Sequence, residues 1–224
     1  MERSKEGDRI VDMKLTWDDV AVVIPTLQPA RGHELIQLVG DLTREEIPFL
    51  LFVDEGNIGL RRNTNRALQA GKWATWVLLL QDDVRLAPGF SHLALSALAQ
   101  ADKAGVVSLY SYTDKGMELY EPGQVHLWTM PKPNRFRGEQ ALAIKGNLVA
   151  DLVAWMENEW EERNVRDEGH DVALAAWAWH RQQRIAISIP SLVQHCSLVS
   201  TVGHAYHASR SYRLAFGSDF DVYG

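Results

Sequence analysis

Two adjacent carboxylates, Asp82 and Asp83, end an apolar run that begins at Trp76. A run of this length predicts a strand that is buried on both faces of a parallel sheet. Ligands of open α/β sheets bind beyond the carboxyl ends of such strands, and carboxylate oxygens suit Mg²⁺ and Mn²⁺. The pair could therefore hold a divalent cation against substrate phosphates. Alternatively, Asp82 caps the following turn and Asp83 is solvated.

A third acid, Asp171, stands at the beginning of an apolar helical segment. An Asp at this place commonly caps the helix and interacts favourably with its dipole. It is also held rigidly enough to act as a general base, for which the neighbouring His170 is a competing candidate. His195 follows a predicted strand and either packs on the sheet or ligates a metal beside the carboxylates.

Two groups of arginines could bind phosphate. Arg61, Arg62 and Arg66 open a predicted helix that follows a glycine-containing turn. A helix dipole already places positive charge at its N-terminus, so cations there indicate either an anionic ligand or an exposed basic surface. Arg210 and Arg213 are three residues apart; in a helix they would share a face and could close over a diphosphate.

The elements that would position these groups alternate in the first half of the chain. Four apolar runs predict strands: residues 21–26, 48–54, 76–84 and 105–110. Three segments with apolar residues at helical spacing predict helices: residues 32–42, 60–70 and 91–104. This order predicts one half of a doubly wound α/β fold.

Beyond residue 112 the pattern changes. Aromatic and histidine side chains stand among prolines in residues 112–138, which predicts a long excursion with short antiparallel pieces. Rings such as Trp128 either pack under loops or form a platform for a sugar or a base. The later predicted elements are a strand at 138–144, helices at 147–161 and 172–180, and a last strand at 184–190.

The composition is that of one globular domain. Of the 224 residues 46% are hydrophobic and 23% are charged, with a net charge of -6 that provides no general attraction for nucleic acid or anionic membranes. A local basic groove remains compatible with this charge. The single cysteine, Cys196, excludes an intramolecular disulfide and favours a reducing compartment. The charged N-terminus is unlike a secretory signal, and no stretch reaches the ~20 apolar residues of a membrane span, so we expect a cytoplasmic protein.

Seven segments follow one another in an order that is typical of one enzyme family. They are residues 23–26 (Val-Ile-Pro-Thr), Val53-Asp54, residues 63–71, residues 81–84 (Gln-Asp-Asp-Val), Gly138-Glu139-Gln140, residues 169–174 and residues 190–195. In this order they resemble the GT-A glycosyltransferases, family 2-like enzymes that use nucleotide sugars. The resemblance covers residues 21 to 213. It implies an α/β fold with a single Rossmann-like GT-A domain, whose mostly parallel central sheet is flanked by helices and carries a small antiparallel excursion.

The resemblance also implies a division of the chain. Residues 1–20 would form a flexible arm, residues 21–203 the glycosyltransferase domain, and residues 204–224 a tail that closes over the active site. Within the domain, residues 21–111 would bind the nucleotide and residues 112–203 the acceptor.

On the donor side, the resemblance implies a metal site and a nucleotide-diphosphate sugar, expected to be a UDP-sugar. Asp83 and His195 would ligate Mn²⁺ or Mg²⁺, supported by Asp82. Further donor contacts are implied for a set of polar residues and one proline: Pro25, Thr26, Asp54, Arg62, Asn65, Arg66, Asp82, Arg210 and Arg213.

On the acceptor side, Asp171 would deprotonate the attacking hydroxyl in a single displacement that inverts the anomeric centre. His170 stands where the family usually has an acid, and the nearby Glu168 could take part. Acceptor contacts are implied for Trp128, Gly138 and Gln140.

Three other functions are compatible with these motifs. A phage-type DNA glycosyltransferase would act on a hydroxymethylated base and hold DNA with Lys132, Arg135 and Arg137. A sugar-phosphate nucleotidyltransferase would use the same acid pair, although no glycine-rich phosphate loop follows the first strand. A non-catalytic nucleotide-sugar binding module would keep the fold alone. The acceptor, whether glycan, small molecule or modified DNA, is left open by the sequence.

Overall fold

The computed structural model describes residues 14–26, 32–101, 103–111, 117–136, 138–160, 170–195, 212 and 215–216. Five residues discussed above lie outside the described part of the chain: Arg137, Glu168, Cys196, Arg210 and Arg213. The predictions made for these five side chains therefore remain predictions.

Nine strands are present in the described part of the chain. They are β1 (Val20–Thr26), β2 (Phe49–Val53), β3 (Trp76–Leu80), β4 (Val84–Leu86), β5 (Val106–Ser108), β6 (His126–Thr129), β7 (Ala141–Lys145), β8 (Ile185–Ile189) and β9 (Val193–His195). Seven of them form one sheet in the order β2-β1-β3-β7-β5-β8-β6, and β4 pairs with β9 in a second sheet.

Five α-helices flank the large sheet in the same described ranges. They are α1 (Gly32–Arg44), α2 (Leu60–Gly71), α3 (Phe90–Gln100), α4 (Gly146–Ala154) and α5 (His170–His180). The helix α4 continues as a π-helix over Trp155–Trp160, and short 3-10 turns occupy Trp17–Asp19, Met117–Leu119 and Pro133–Arg135. None of these helices is both long and apolar enough to cross a membrane.

The large sheet is mostly parallel, as predicted. Strand β1 runs parallel to both β2 and β3, and β5 runs parallel to β8. Strand β7 is antiparallel to both of its neighbours, β3 and β5, and β6 is antiparallel to β8. The α/β class with a small antiparallel part is therefore confirmed. The linear order of the elements did not predict that β7 separates the third predicted strand from the fourth.

Two strand predictions were wrong in detail. Residues 76–84 do not form one strand, because the chain leaves the large sheet after Leu80 and begins β4, which pairs with β9, at Val84. Asp82 and Asp83 lie in the segment in which the chain passes from the large sheet to the small one. Likewise β8 is not the last strand, since β9 follows it and carries His195.

The central strand β3 is buried on both faces. Trp76, Leu78 and Leu80 pack into the core cluster that includes residues of α1 and α3. Val77 and Leu79 alternate with them and pack into the other cluster, which includes residues of α2, α4 and α5. Burial of each large apolar side chain contributes roughly 1.5–3 kcal/mol, so this strand is held rigidly at the centre of the sheet.

A partly buried ion pair attaches β4 to α1. Asp41 is 5% exposed and accepts a hydrogen bond of 2.9 Å from Arg85 Nε on β4. Its other carboxylate oxygen accepts a hydrogen bond of 2.9 Å from Arg44, and Gln37 Oε1 accepts a hydrogen bond of 3.2 Å from Arg85. These contacts, together with the pairing to β9, hold the segment that follows the two acids.

Residues at both ends of the described chain contact the domain. The indole nitrogen of Trp17, in the segment assigned to a flexible arm, donates a hydrogen bond of 2.7 Å to Ser91 Oγ on α3. Tyr212, in the predicted tail, is buried and donates a hydrogen bond of 3.4 Å to the Leu86 carbonyl on β4. The folded unit therefore includes Trp17 and Tyr212.

Substitution of Gly146, the first residue of α4, tests the packing between β7 and the turn before β3. Its backbone N–H donates to Thr75 O at 3.0 Å. A Cβ at this position would overlap the Ala74 carbonyl oxygen and stand 2.8 Å from the Lys72 carbonyl oxygen. We expect Gly146→Ala to lower the free energy of unfolding by about 1–3 kcal/mol in urea titrations.

The matched control is Gly40→Ala in the interior of α1, where an added Cβ meets no atom within 4 Å. This change should raise the free energy of unfolding by about 1 kcal/mol, because alanine has the higher helix propensity. Equal stability of Gly146→Ala and wild type would contradict the close packing described here.

Candidate active site at the carboxyl edge of the sheet

The polar residues singled out from the sequence meet at one edge of the large sheet. The parallel strands β1, β2 and β3 all end at this edge, whereas the antiparallel strand β7 begins there. The Gln81 backbone N–H donates a hydrogen bond of 3.0 Å to the Gln140 carbonyl, one residue beyond the Leu80–Ala141 pair of the ladder. This register places the acids that follow Gln81 beside Gly138 and Glu139.

Asp83 and His195 are brought together by the small sheet. Val84 pairs with His195 in the β4–β9 ladder, and His195 Nε2 lies 3.1 Å from Asp83 Oδ2. The Asp83 side chain is fully buried, whereas that of His195 is 15% exposed. The structure thus combines the two residues that the sequence predicted as metal ligands, and their ligation of a metal stays a prediction.

The geometry of this pair suits a divalent cation. The 3.1 Å separation of Asp83 and His195 is that of a hydrogen bond or ion pair. Neighbouring ligands of an octahedral cation, each about 2.1 Å from the ion, also stand about 3 Å apart. Among the described residues, no group of three or more His, Cys, Asp or Glu side chains is arranged to hold a metal. From the described residues a cation here would take Asp83 and His195 as ligands, and substrate oxygens or water would add to its coordination. Asp82, 6% exposed, stands beside the pair.

Asp54 organises the turn between β2 and α2. Its Oδ1 accepts a hydrogen bond of 2.8 Å from the Ile58 N–H, and its Oδ2 accepts one of 2.9 Å from the Gly59 N–H. Gly59 has a φ of +90°, which favours glycine. The Asp54 N–H also donates to the Thr26 carbonyl at 3.1 Å, so the ends of β1 and β2 are linked at the predicted nucleoside site.

The amide of Asn63 fastens α2 to the same strand ends. Its Nδ2 donates a hydrogen bond of 2.7 Å to the Phe52 carbonyl and one of 3.4 Å to the Thr26 carbonyl. Within the described ranges, Asn63 Oδ1 and Thr26 Oγ1 are buried without a hydrogen-bond partner. Buried polar atoms are normally paired, so these two oxygens are candidates for a contact with a ligand or with water. Pro25, also a predicted donor contact, is buried in β1.

The predicted donor contacts on α2 divide into inward and outward residues. Asn65 is buried, with its Oδ1 3.4 Å from His170 Nε2 and its Nδ2 donating a hydrogen bond of 3.4 Å to Glu157. Arg62 and Arg66 are exposed, and the Arg66 guanidinium lies 5.6 Å from the centroid of the Phe52 ring. The structure therefore leaves the two arginines accessible to an anion and directs Asn65 into the interior.

The acceptor segment and the predicted base are joined by two reciprocal hydrogen bonds. The Gly138 N–H donates to Asp171 Oδ2 at 3.3 Å, and the Asp171 N–H donates to Glu139 Oε2 at 3.2 Å. Gly138 has a φ of +132°, a conformation that disfavours residues with a side chain. The location of Asp171 in the first turn of α5 stabilises its negative charge through the helix dipole.

Glu139 is the site residue that the sequence analysis missed. Burial raises its pKa from 4.5 to about 7, and the negative charges of Asp171 and Asp83 act in the same direction. Hydrogen bonds from the Asp171 backbone and the Gln81 side chain partly oppose this increase in the pKa. The available signal was an acid directly before a buried strand that begins at the same edge as the other acids.

His170 faces the interior rather than a solvent-filled cleft. Its ring is 9% exposed, and Nε2 lies 3.4 Å from Asn65 Oδ1. Burial lowers the pKa of His170 to about 4, with a further contribution from the positive charge of Arg61. The imidazole is therefore neutral near pH 7, and its candidacy as a base stays a prediction.

The predicted acceptor contacts are not all close together. Gln140 stands next to Glu139, and its buried Oε1 has no hydrogen-bond partner among the described residues. Trp128 lies on β6, three strands away from β7, or roughly 14 Å at the usual spacing of strands. Its ring packs against the core cluster beneath α4 and α5, and its acceptor role stays a prediction.

Comparisons with known proteins show which fold this architecture belongs to. No protein-family model and no curated protein sequence matches the chain. Among solved structures, a glycosyltransferase involved in the glycosylation of the major capsid of PBCV-1 aligns with a TM-score of 0.50 at 10% identity, covering 75% of this chain and 80% of that one. The chain has a GT-A-like fold. At this identity the likeness establishes the fold alone.

Two further solved structures align with this chain at lower scores. A197 from STIV has a TM-score of 0.44 at 16% identity, covering 78% of this chain and 83% of that one. A mutant of Drosophila β1,4-galactosyltransferase 7, in complex with manganese, UDP-Gal and xylobiose, has a TM-score of 0.38 at 14% identity, covering 59% of this chain and 51% of that one.

The raised pKa of Glu139 predicts a pH-dependent stability. Between its unfolded value of 4.5 and its folded value of about 7 the native state binds more protons than the unfolded state, so this group lowers the stability as the pH rises through that window. The isosteric change Glu139→Gln removes the effect. We expect it to stabilise the protein relative to wild type by up to about 3 kcal/mol at about pH 8, and much less at about pH 5, in urea titrations.

The control is Glu121→Gln, which replaces an exposed carboxylate outside the site. Its stability curve should run parallel to that of wild type. Parallel curves for Glu139→Gln and wild type would show that the Glu139 carboxyl is not stabilised in its neutral form.

Proposed function

We propose that this protein is a metal-dependent glycosyltransferase, which transfers a sugar from a nucleotide-diphosphate sugar to an acceptor hydroxyl. The observation that carries the proposal is the meeting of three chain segments at one sheet edge. The end of β3 brings Asp83, β9 brings His195, and the start of α5 brings Asp171. The likeness in fold to a glycosyltransferase at a TM-score of 0.50 supports the same reaction class.

The donor half of the reaction is assigned to the strand ends and α2. Asp83 and His195 would hold Mn²⁺ or Mg²⁺ with support from Asp82, and the cation would neutralise charge on the departing nucleotide diphosphate. The exposed Arg62 and Arg66 supply further positive charge on α2. We assign the nucleoside to the neighbourhood of Pro25, Thr26 and Asp54, with a UDP-sugar as the first donor to test.

The acceptor half of the reaction is assigned to Asp171. Its carboxylate, oriented by the Gly138 N–H, would take the proton of the attacking hydroxyl. The acceptor oxygen then bonds to the anomeric carbon as the bond from that carbon to the diphosphate breaks. One displacement of this kind inverts the anomeric centre.

The first prediction from this proposal concerns Asp83 and His195, the two proposed metal ligands. A panel of nucleotide sugars, UDP-sugars included, is screened with Mn²⁺ by thermal stabilisation and donor hydrolysis. At least one donor should stabilise wild type in a metal-dependent way. Asp83→Asn should weaken this binding at least tenfold, about 1.4 kcal/mol, because the amide cannot supply a charged ligand. The control is Asp18→Asn, which changes an exposed carboxylate and should bind the donor like wild type.

The second prediction from this proposal concerns the base. Asp171→Asn should bind the donor like wild type but lower kcat by about 10²–10⁴-fold, because it cannot accept a proton. If no nucleotide sugar stabilises wild type with or without metal, the transferase assignment is refuted. Full turnover by Asp171→Asn would refute only the assignment of the base.

A further inference from the structure

Glu139 lies between the Asp83–His195 pair and Asp171, the proposed base. It has no role in the reaction assigned above. It precedes β7, the antiparallel strand that pairs with β3, and thus stands beside the chain segment that carries Asp82 and Asp83. On its other side it contacts the first turn of α5, where Asp171 lies. A half-buried carboxyl with neighbours on both sides is well placed to act on one of them.

The contacts of Glu139 form a continuous chain across the site. The Gln81 side chain lies close enough to the Glu139 carboxyl to lower its pKa, and the Gln81 N–H donates to the Gln140 carbonyl at 3.0 Å. Glu139 Oε2 in turn accepts the Asp171 N–H at 3.2 Å. The end of β3 is therefore connected through Glu139 to the backbone of the proposed base.

The hydrogen bonds also constrain Asp171 itself. Asp171 Oδ2 accepts a hydrogen bond from the Gly138 N–H. The Asp171 N–H donates to the side chain of Glu139, the residue after Gly138. Since both partners belong to the same two-residue segment, a movement of Glu139 shifts the main chain and the carboxylate of Asp171 together. The preceding residue, His170, contacts Asn65 in the interior instead.

We propose that Glu139 is a positioning residue for Asp171, which fixes the direction of the base by accepting its backbone N–H and links it to the metal-binding end of β3. This inference rests on the proposed function. Glu139 acts through its capacity to accept hydrogen bonds, so the isosteric Gln retains the role. Alanine loses it, and Asp, one methylene shorter, fulfils it only in part.

The test uses the nucleotide sugar that stabilises wild type in the donor panel, with water as the acceptor and Mn²⁺ present. We expect Glu139→Ala to lower kcat for hydrolysis by about tenfold to hundredfold, because a base displaced by about 1 Å loses about 10²-fold in rate. The donor KM should stay within about twofold of wild type, and Glu139→Gln should keep kcat within about threefold. Glu139→Asp should fall between Ala and Gln and replaces the Ala variant if that one does not fold.

A double-mutant cycle separates positioning from a general structural role. If Glu139 acts through Asp171, then Glu139→Ala combined with Asp171→Asn is no slower than Asp171→Asn alone. Additive losses in the double variant would overturn the proposal. Glu121→Ala, which removes an exposed carboxylate, is the control and should leave kcat unchanged.

The remaining outcomes are distinct. Wild-type kcat in Glu139→Ala overturns the positioning role, and a higher donor KM at unchanged kcat overturns it in favour of a donor contact. Equal losses in Glu139→Gln and Glu139→Ala overturn it in favour of direct proton transfer by the carboxyl. If wild type neither binds nor hydrolyses a nucleotide sugar, the transferase proposal fails and the role of Glu139 fails with it.

Discussion

The antiparallel insertion of β7 between β3 and β5 is the constraint on which the rest of the site depends. A parallel neighbour would bring its own carboxyl end to this edge, whereas an antiparallel strand begins there. The residues before β7, Gly138 and Glu139, consequently face the end of β3 and the first turn of α5. The chain leaves the large sheet after Leu80, and the separate pairing of β4 with β9 brings Asp83 to His195.

This arrangement concentrates acids in a poorly hydrated place. The negative charges of Asp171 and Asp83 both raise the pKa of Glu139, which burial raises most. Like charges held together in a protein interior destabilise it unless a proton or a cation neutralises them. Partial protonation of Glu139 relieves one part of this repulsion, and a divalent cation at Asp83 would relieve another. These electrostatics fit the metal-dependent transfer that we propose above.

Several features of the site could be predicted from residue types alone. The apolar run from Trp76 required a buried strand, because five consecutive apolar side chains can be buried only with packing on both faces. Acids placed directly after such a strand had to lie at a ligand-binding edge. The same reasoning located Asp171 at a helix N-terminus, and the resemblance of the motif order to GT-A enzymes added His195 as the partner of Asp83.

The sequence by itself determined the α/β class, the edge that carries the site and the identity of its principal acids, because hydrophobic runs and helical spacing are local properties. Only the tertiary structure decided that β7 runs antiparallel through the sheet and that Glu139 joins the site, since strand pairing over 60 residues of separation leaves no local signal. It likewise decided that Asn65 and His170 face each other in the interior, whereas Arg62 on the same helix remains exposed. Direction and contact depend on packing between distant segments, which residue spacing does not specify.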